Sequence, residues 1–161
     1  MTMWGGPAKG AELPWSWAEE RLREAVAYWV ATASPEGRPT VRPVWGVWLH
    51  ERLYVSLGSP TTIRNLREGS GAASVHLGDD LEVVIVDGTA RAEDDADVVG
   101  DVCEAYNAKY AWNLDPENLP GPILAVDPAT VTAWTTVPVE QCTWDMTFPD
   151  AHGRWEPDAA Q

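Results

Sequence analysis

The chain is poor in the residues that most directly advertise chemistry. It holds two cysteines, Cys103 and Cys142, and three histidines, His50, His76 and His152, in 161 residues. The cysteines form no CxxC pair and the histidines no HExxH, so no metal site is expected and both thiols should be free in a reducing compartment. Basic residues are also scarce. Lysine and arginine total 11 against 25 aspartates and glutamates, for a net charge of −14. Such a chain repels phosphate backbones and anionic lipid, which argues against nucleic acid or a membrane surface as partner. No apolar run approaches the roughly 20 residues of a membrane-spanning helix. The opening, MTMWGGPAKGAELPWSW, lacks the basic start and continuous apolar stretch of a secretory signal. A soluble, cytoplasmic protein is the expectation.

Apolar residues make up 45% of the chain, enough for one domain with a real core. The charge is unevenly spread. Residues 38–67 carry Arg38, Arg42, Arg52, Arg64 and Arg67 against a single acid, Glu51, a local +4 that leaves −18 for the rest. This basic island is either a set of solvated arginines on strand faces or the counter-charge of a small anionic ligand.

Glycine and proline mark residues 1–14 as a flexible N-terminal segment. SWAEERLREAVAYW reads as a helix with Ser16 as N-cap, Glu19 as its capping-box partner, and Leu22, Ala25, Val26 and Trp29 at helical spacing. YWVATA reads as a strand and TVRPVWGVWL as one long strand, which HER turns into LYVSL. Val41, Pro43, Trp45, Val47 and Leu49 share one face of the long strand; Thr40, Arg42, Val44, Gly46 and Trp48 share the other. Pro43 belongs at an edge or bulge, and Gly46 permits a close approach to the backbone. SPTTIRNLREG reads as a short helix with Ser59 as N-cap, Pro60 at its first position and Gly69 at its end. AASVHL and LEVVIVDGTARAE make a hairpin about GDD. A helix follows, with acids in its first turn and an apolar stripe of Val99, Val102, Cys103, Tyr106 and Tyr110. PILAVDPATVTAWTT supplies one or two more strands. The tail from 138 has no clear period, yet its Trp144, Phe148 and Trp155 must pack on something. About six strands with three helices fit an α+β fold, a small antiparallel barrel with peripheral helices.

Two constellations stand out. In YVSLGSPTTIRNLREG, Ser56, Ser59, Thr61, Thr62 and Arg64 crowd the start of a helix. Free N–H groups and hydroxyls there suit an anion such as phosphate, although capping alone accounts for Ser59 and Pro60. In RPVWGVW, Trp45 and Trp48 fall on opposite faces. One face belongs to the barrel interior, and the other to a subunit interface, a flat aromatic ligand or plain solvent. Arg42 is placed to meet the polar edge of such a ligand. His76 reads as a structural strand residue, and no acid–base pair emerges from spacing, so no catalytic residue is assigned. If the chain is an enzyme, a bound cofactor carries the hard chemistry.

In their order, YWVATASPEGRPTVRPVWGVWL, LYVSLGSPTTIRNLREG, ASVHLGDDLEVVIVDGTARAEDD and YNAKYAW resemble the pyridoxamine 5'-phosphate oxidase-like superfamily of flavin-binding split β-barrels, over about residues 17–137. The resemblance implies a six-stranded split barrel over 15–137. It implies a homodimer with FMN at the subunit interface and hydride transfer to or from a small organic substrate. The backbone along Val41, Arg42, Pro43, Val44 and Trp45 would line the ring. Ser56, Thr61, Thr62 and Arg64 would surround the phosphate. Trp112, or aromatics of a partner's tail, would cover the ring, and residues 138–161 would pack on the barrel or on the partner. Relatives carry a lysine or arginine where this chain has Thr62, which leaves the phosphate to Arg64, Arg42 and N–H groups. The same fold and motifs also occur in relatives that use the deazaflavin coenzyme F-420. A dimeric carrier of a flavin or haem-like ligand without turnover is a further alternative.

Overall fold

The computed structural model describes residues 2–3, 6–7, 10–56, 58–79, 81–141 and 151–156. Between 28 and 135 the period-two alternation of apolar side chains dictates strands, and helices fill the gaps. In chain order the elements are β1 (Thr2–Met3), β2 (Gly6–Pro7), β3 (Ala11–Glu12), α1 (Trp15–Glu24), β4 (Tyr28–Ala33), β5 (Pro39–Val44), β6 (Gly46–Leu49) and β7 (Arg52–Ser56). Then come α2 (Pro60–Glu68), β8 (Ala72–Gly78), β9 (Glu82–Ala92), α3 (Ala96–Tyr110), β10 (Ile123–Thr135) and β11 (Ala151–Trp155). Among the described residues no helix is long and apolar enough to cross a membrane.

The main ladder runs β5-β4-β8-β9-β10, each neighbour antiparallel. The far edge of β10 is then shared. Its first half pairs with β7, from Ile123 opposite Ser56 to Val126 opposite Leu53, and its second half pairs with β11. A register shift between Pro128 and Thr130 bends this 13-residue strand between its two partners. Opposite the shift Gly88 is obligatory, because a Cβ there would lie 2.0 Å from the Asp127 carbonyl oxygen. β7 in turn pairs with β6. The ladder therefore ends at β5 and at β6, and those two ends are consecutive pieces of chain separated by Trp45 alone. Hydrogen bonds do not close the sheet; the backbone does. This is the split barrel that the sequence implied.

The long strand expected from Thr40 to Leu49 is thus two strands. The chain changes partner at Trp45, β5 pairing with β4 and β6 with β7. Counted as one wall element, the broken strand joins β4, β7, β8, β9 and β10, and the short β1, β2 and β3 and the tail strand β11 are additions to the expected set. Pro43 sits on the outermost strand of the ladder, as its missing donor requires.

Leu53, Val55, Val75, Val84, Val86, Leu124 and Val126 fill the interior with Trp48, and α1 adds Ala18 and Leu22. A second apolar layer lies outside the wall. There Val47, Tyr54, Ile123 and Ala125 are covered by Val102 and Tyr106 of α3. Each buried valine, leucine or isoleucine among them contributes about 1.5–3 kcal/mol. β6 is consequently buried on both faces, which accounts for its lack of polar residues, whereas β5 is largely exposed on both.

The first helix departs from expectation. Pro14 stands at its N-cap with no side-chain cap, so Ser16 lies inside the first turn, and the helix stops at Glu24. Val26 is left 70% exposed, and Trp29 belongs to β4, pairing with Pro43 and His76. Strand pairing on both sides of Tyr28–Ala33 overrides the helical spacing. The other helix ends are as read. The Ser59 hydroxyl accepts from the Thr62 N–H at 3.4 Å, Gly69 closes α2, and the Asp95 carboxylate accepts from Asp97 and Val98 N–H. In the tail, Trp155 meets Trp15 at 5.3 Å between ring centroids, and Trp15 meets Trp48 at 6.3 Å. Asp80, Cys142, Trp144 and Phe148 lie outside the described residues.

The β6–β7 hairpin turns on His50 and Glu51, both at positive φ (49° and 58°). A two-residue turn of this kind favours Asn-Gly, and each left-handed side-chain-bearing residue costs roughly 1–2 kcal/mol. The exposed His50–Asp101 contact at 3.9 Å offsets little of this. The double substitution His50→Asn, Glu51→Gly should therefore stabilise the fold by about 1–2 kcal/mol. Urea denaturation measures it, and an unchanged or lower midpoint would contradict the strain argument.

Candidate functional site

At the seam between β5 and β6 the backbone leaves one ladder before it has joined the next. Its polar groups still require partners. α3 supplies them from side chains. The Tyr106 hydroxyl donates to the Trp45 carbonyl at 2.8 Å and accepts from the Ser56 N–H at 3.0 Å. The Tyr110 hydroxyl accepts from the Gly46 N–H at 3.1 Å. It lies 2.8 Å from the Gly46 oxygen and 3.0 Å from the Val26 oxygen, with one proton to give. Lys109 donates from Nζ to the Gly46 carbonyl at 3.1 Å and to the Tyr28 hydroxyl at 3.0 Å. Positions 106, 109 and 110 share one helix face by the three- and four-residue spacing. Gly46 is packed so tightly that a Cβ would come within 3.0 Å of the Tyr54 oxygen, so what approaches its backbone is the opposite strand together with α3.

α3 ends at Ala111, whose left-handed conformation (φ 54°) turns Trp112 back over the tyrosines. The Trp112 ring lies 4.9 Å from Tyr110 and 5.8 Å from Tyr106, both stacked, and meets Trp45 edge-on at 5.0 Å. Trp45 and Trp112 are 56% and 37% exposed. Two large rings thus form an open aromatic wall whose back is a buried network of phenols. Burial raises the pKa of Tyr28, Tyr106 and Tyr110, with backbone hydrogen bonds partly opposing this at Tyr106 and Tyr110, so all three stay neutral. Burial alone lowers Lys109 to about 8.

The other residues singled out in the sequence fall into two groups. Val41 (47% exposed), Arg42 and Pro43 lie open on β5, the strand whose outer edge has no strand partner among the described residues, and Val44 is half-buried. The Arg42 guanidinium donates to the neighbouring Val41 carbonyl at 3.0 Å. On α2, Thr61 is half-buried and Arg64 exposed, and Thr62 is buried with its hydroxyl donating to Ser59 Oγ at 3.1 Å. Hydrogen bonds, first from the Ser34 hydroxyl and then from the Glu36 backbone, hold the Glu36 carboxyl below its usual range, and the Arg64 charge adds least. Ser56 ends β7 with its Oγ buried and without a protein partner among the described residues. The structure therefore joins Trp45 to Trp112 directly, and Trp45 to Ser56 through one phenol. It joins neither to Arg42 or Arg64 by a hydrogen bond. His76 stands elsewhere, with Trp29, Ala31, Val41 and Ser74 around a cleft of about 390 Å³ on the outer face of the barrel.

Four contributors were not singled out for chemistry: Tyr28, Tyr106, Lys109 and Tyr110. The two α3 tyrosines read as core stripe, because spacing reveals a helix face without saying that its hydroxyls replace a ladder. Lys109 is one of only two lysines in the chain, a rarity that signalled nothing by itself. Asn65 was also missed. It is buried, and its Nδ2 donates to Thr32 Oγ1 at 3.1 Å, pinning α2 to β4. Among the described residues no group of histidine, cysteine and carboxylate side chains suits a metal.

The family model described as pyridoxamine 5'-phosphate oxidase matches residues 17–135, and the chain belongs to that family. Among solved structures, an FAD-binding protein from Mycobacterium smegmatis superimposes with a TM-score of 0.55 at 16% identity, over 76% of this chain and 95% of that one. An F420 reductase gives a TM-score of 0.54 at 24% identity, over 70% and 94%. The heme storage protein HutZ of Vibrio cholerae gives 0.59 at 20% identity, over 73% and 90%. At these identities the likeness is one of fold. No curated protein matches the sequence.

Lys109 makes stability pH-dependent with a definite sign. Its folded-state pKa, about 8, lies below the ordinary 10.5, so the unfolded chain holds the proton to higher pH. The burial penalty is fully present below about pH 8 and fades as pH rises toward 10.5. The group is half-exposed, and solvent screening reduces the effect to about 1–2 kcal/mol. Wild type should therefore gain on Lys109→Met by that amount between roughly pH 7 and pH 10. Parallel denaturant titrations measure the gap, in which the shared tyrosine and cysteine titrations cancel. A gap that does not move would show that the ammonium is not desolvated.

Proposed function

We propose that this chain is an oxidoreductase that binds FMN against the Trp45–Trp112 wall and works as a homodimer on a small organic substrate. The observation that carries the reading is that exposed aromatic pair beside the partnerless edge of β5. A planar ring can lie against exposed indole, and the β5 edge offers N–H and C=O groups to the ring's polar rim, except at Pro43, which has no N–H. For a phosphate, the start of α2 offers the Thr61 hydroxyl and the exposed Arg64, while Pro60 has no N–H and the N–H groups of Thr62 and Ile63 are taken by Ser59. The buried Ser56 Oγ still has a hydrogen bond to make, and it is tied to the wall through Tyr106. Thr62 takes no part, since its hydroxyl is committed to Ser59. The residues present therefore fit the group, with one cation where relatives have two. When bound, the flavin supplies the ring that carries a hydride. The chain's own contributions are to orient that ring on Trp45, to screen its inner side from water with Trp112, and to fix the seam behind it.

The fold shared with an F420 reductase, together with Thr62 where a second cation would stand, supports coenzyme F-420 as the alternative ligand. The homodimer is supported by the outer face of β4 and β5. Trp29 and Val41 are each 47% exposed there beside Pro43, an apolar surface of the kind that associating chains bury.

Titrating the protein with FMN should quench tryptophan fluorescence saturably, with a dissociation constant of tens of micromolar or tighter, about −6 kcal/mol or better. Arg64→Ala should weaken binding by about 1.5–3 kcal/mol, the worth of a charge-assisted hydrogen bond. Quenching by F-420 alone would move the reading to the deazaflavin, and quenching by neither would end it. Sedimentation of wild type at micromolar concentration should give a dimer, and Trp29→Glu a monomer. A wild-type monomer would remove the shared site.

A further inference from the structure

Lys109 is out of place electrostatically. The chain has 25 acidic side chains, yet among the described residues no carboxylate lies within ion-pair distance of its Nζ. Its neighbours are neutral, namely the Tyr28 hydroxyl, the Gly46 carbonyl, and the faces of Tyr28 at 5.0 Å and Tyr110 at 5.5 Å. Two hydrogen bonds use two of its three N–H donors. A half-buried cation without a counter-charge is costly, and a methionine would fill the same space at no such cost. The Tyr110 ring lies 5.5 Å from its Nζ and 4.9 Å from the Trp112 ring, and the carbonyl that Lys109 holds belongs to the residue after Trp45. An unpaired positive charge behind an open aromatic wall is complementary to negative charge arriving on the other side.

Resting on the flavin reading above, we propose that Lys109 is a positioning residue that makes this wall prefer a ring bearing negative charge. It acts through the Tyr110 ring and the Gly46 carbonyl, and the charge itself touches nothing on the ligand. FMN offers the test pair, because reduction places negative charge on a ring of nearly unchanged shape. A charge one ring away in a partly buried site acts over a distance at which roughly tenfold in affinity is expected. The flanking phenols of Tyr28, Tyr106 and Tyr110 have raised pKa values and remain uncharged, so Lys109 is the group whose charge varies.

The experiment measures dissociation constants for oxidised FMN and for dithionite-reduced FMN, with the midpoint potential of the bound couple, in wild type, Lys109→Met and Lys109→Arg. In Lys109→Met the oxidised form should bind within about threefold of wild type and the reduced form about tenfold more weakly, seen as a potential about 30 mV more negative. Lys109→Arg should restore the wild-type potential, an outcome that a merely structural lysine does not predict. Should the methionine variant fail to fold, the wild type alone serves: its preference for reduced over oxidised FMN should decline as pH rises past about 8, where the free ammonium titrates. An unchanged potential in Lys109→Met with oxidised FMN still bound, or a pH-independent preference, overturns this inference and leaves the flavin reading standing. Failure of wild type to bind FMN in either state overturns both.

Discussion

The structure depends on one substitution of partners: phenolic hydroxyls of α3 take over from backbone ladder at Trp45 and Gly46. A sheet whose wall changes partner within a single residue leaves carbonyls and N–H groups pointing where no strand runs. Leaving a buried one unmet costs about 1–3 kcal/mol. Tyr106 and Tyr110 meet several at once because a hydroxyl both donates and accepts. The same contacts fasten α3 over the outer apolar layer, which buries the second face of β6 and β7. Seam, second core and aromatic wall are therefore one construction: to move α3 is to open the barrel.

That construction explains why the exposed tryptophans sit where they do. Trp45 is the residue at which the chain steps from one ladder to the other, so its side chain cannot follow the alternation of either strand. Trp112 is returned to it by the left-handed Ala111. Rigid elements hold both rings from behind, and their outer surfaces face solvent. A wall prepared in this way pays little ordering entropy when a flat ligand arrives. The cation behind it and the hydroxyl-rich start of α2 are both tied, through Gly46 and Ser56, to the same few residues of backbone.

Much of this was legible in the sequence. Ser59, Pro60 and Gly69 delimited α2, Asp95 and its neighbours opened α3, and the alternation through 72–92 gave the β8–β9 hairpin, because each rests on local rules. RPVWGVW showed apolar groups on both faces, and what covers the Val47 face is α3, not one of the covers that its spacing suggested. The failures share a cause. Trp29 looked helical because its spacing to Leu22 and Val26 was right, but β5 and β8 claim it. The break at Trp45 is invisible locally, since it reflects which strands lie alongside. The roles of Tyr106, Lys109 and Tyr110 are of the same kind: they serve backbone groups 50, 63 and 84 residues distant in sequence. Thr62 is buried, and its hydroxyl donates to Ser59 Oγ at the cap of its own helix.

The pairing of β3 with β11 carries a consequence for how the chain acquires its shape. These strands lie parallel, with Ala11 opposite Ala151, and Trp15 leans on Trp155 from the same end of the chain. Almost the whole polypeptide separates them, so this closure is a highly non-local contact. During synthesis β3 lacks its partner until β11 has been made. The hairpins of the wall and α3 can assemble earlier, and the two ends are then drawn together over one side of a barrel that already stands. Chains truncated at the tail would keep the wall and expose indole, so premature termination should give soluble-looking but adhesive products rather than unfolded ones.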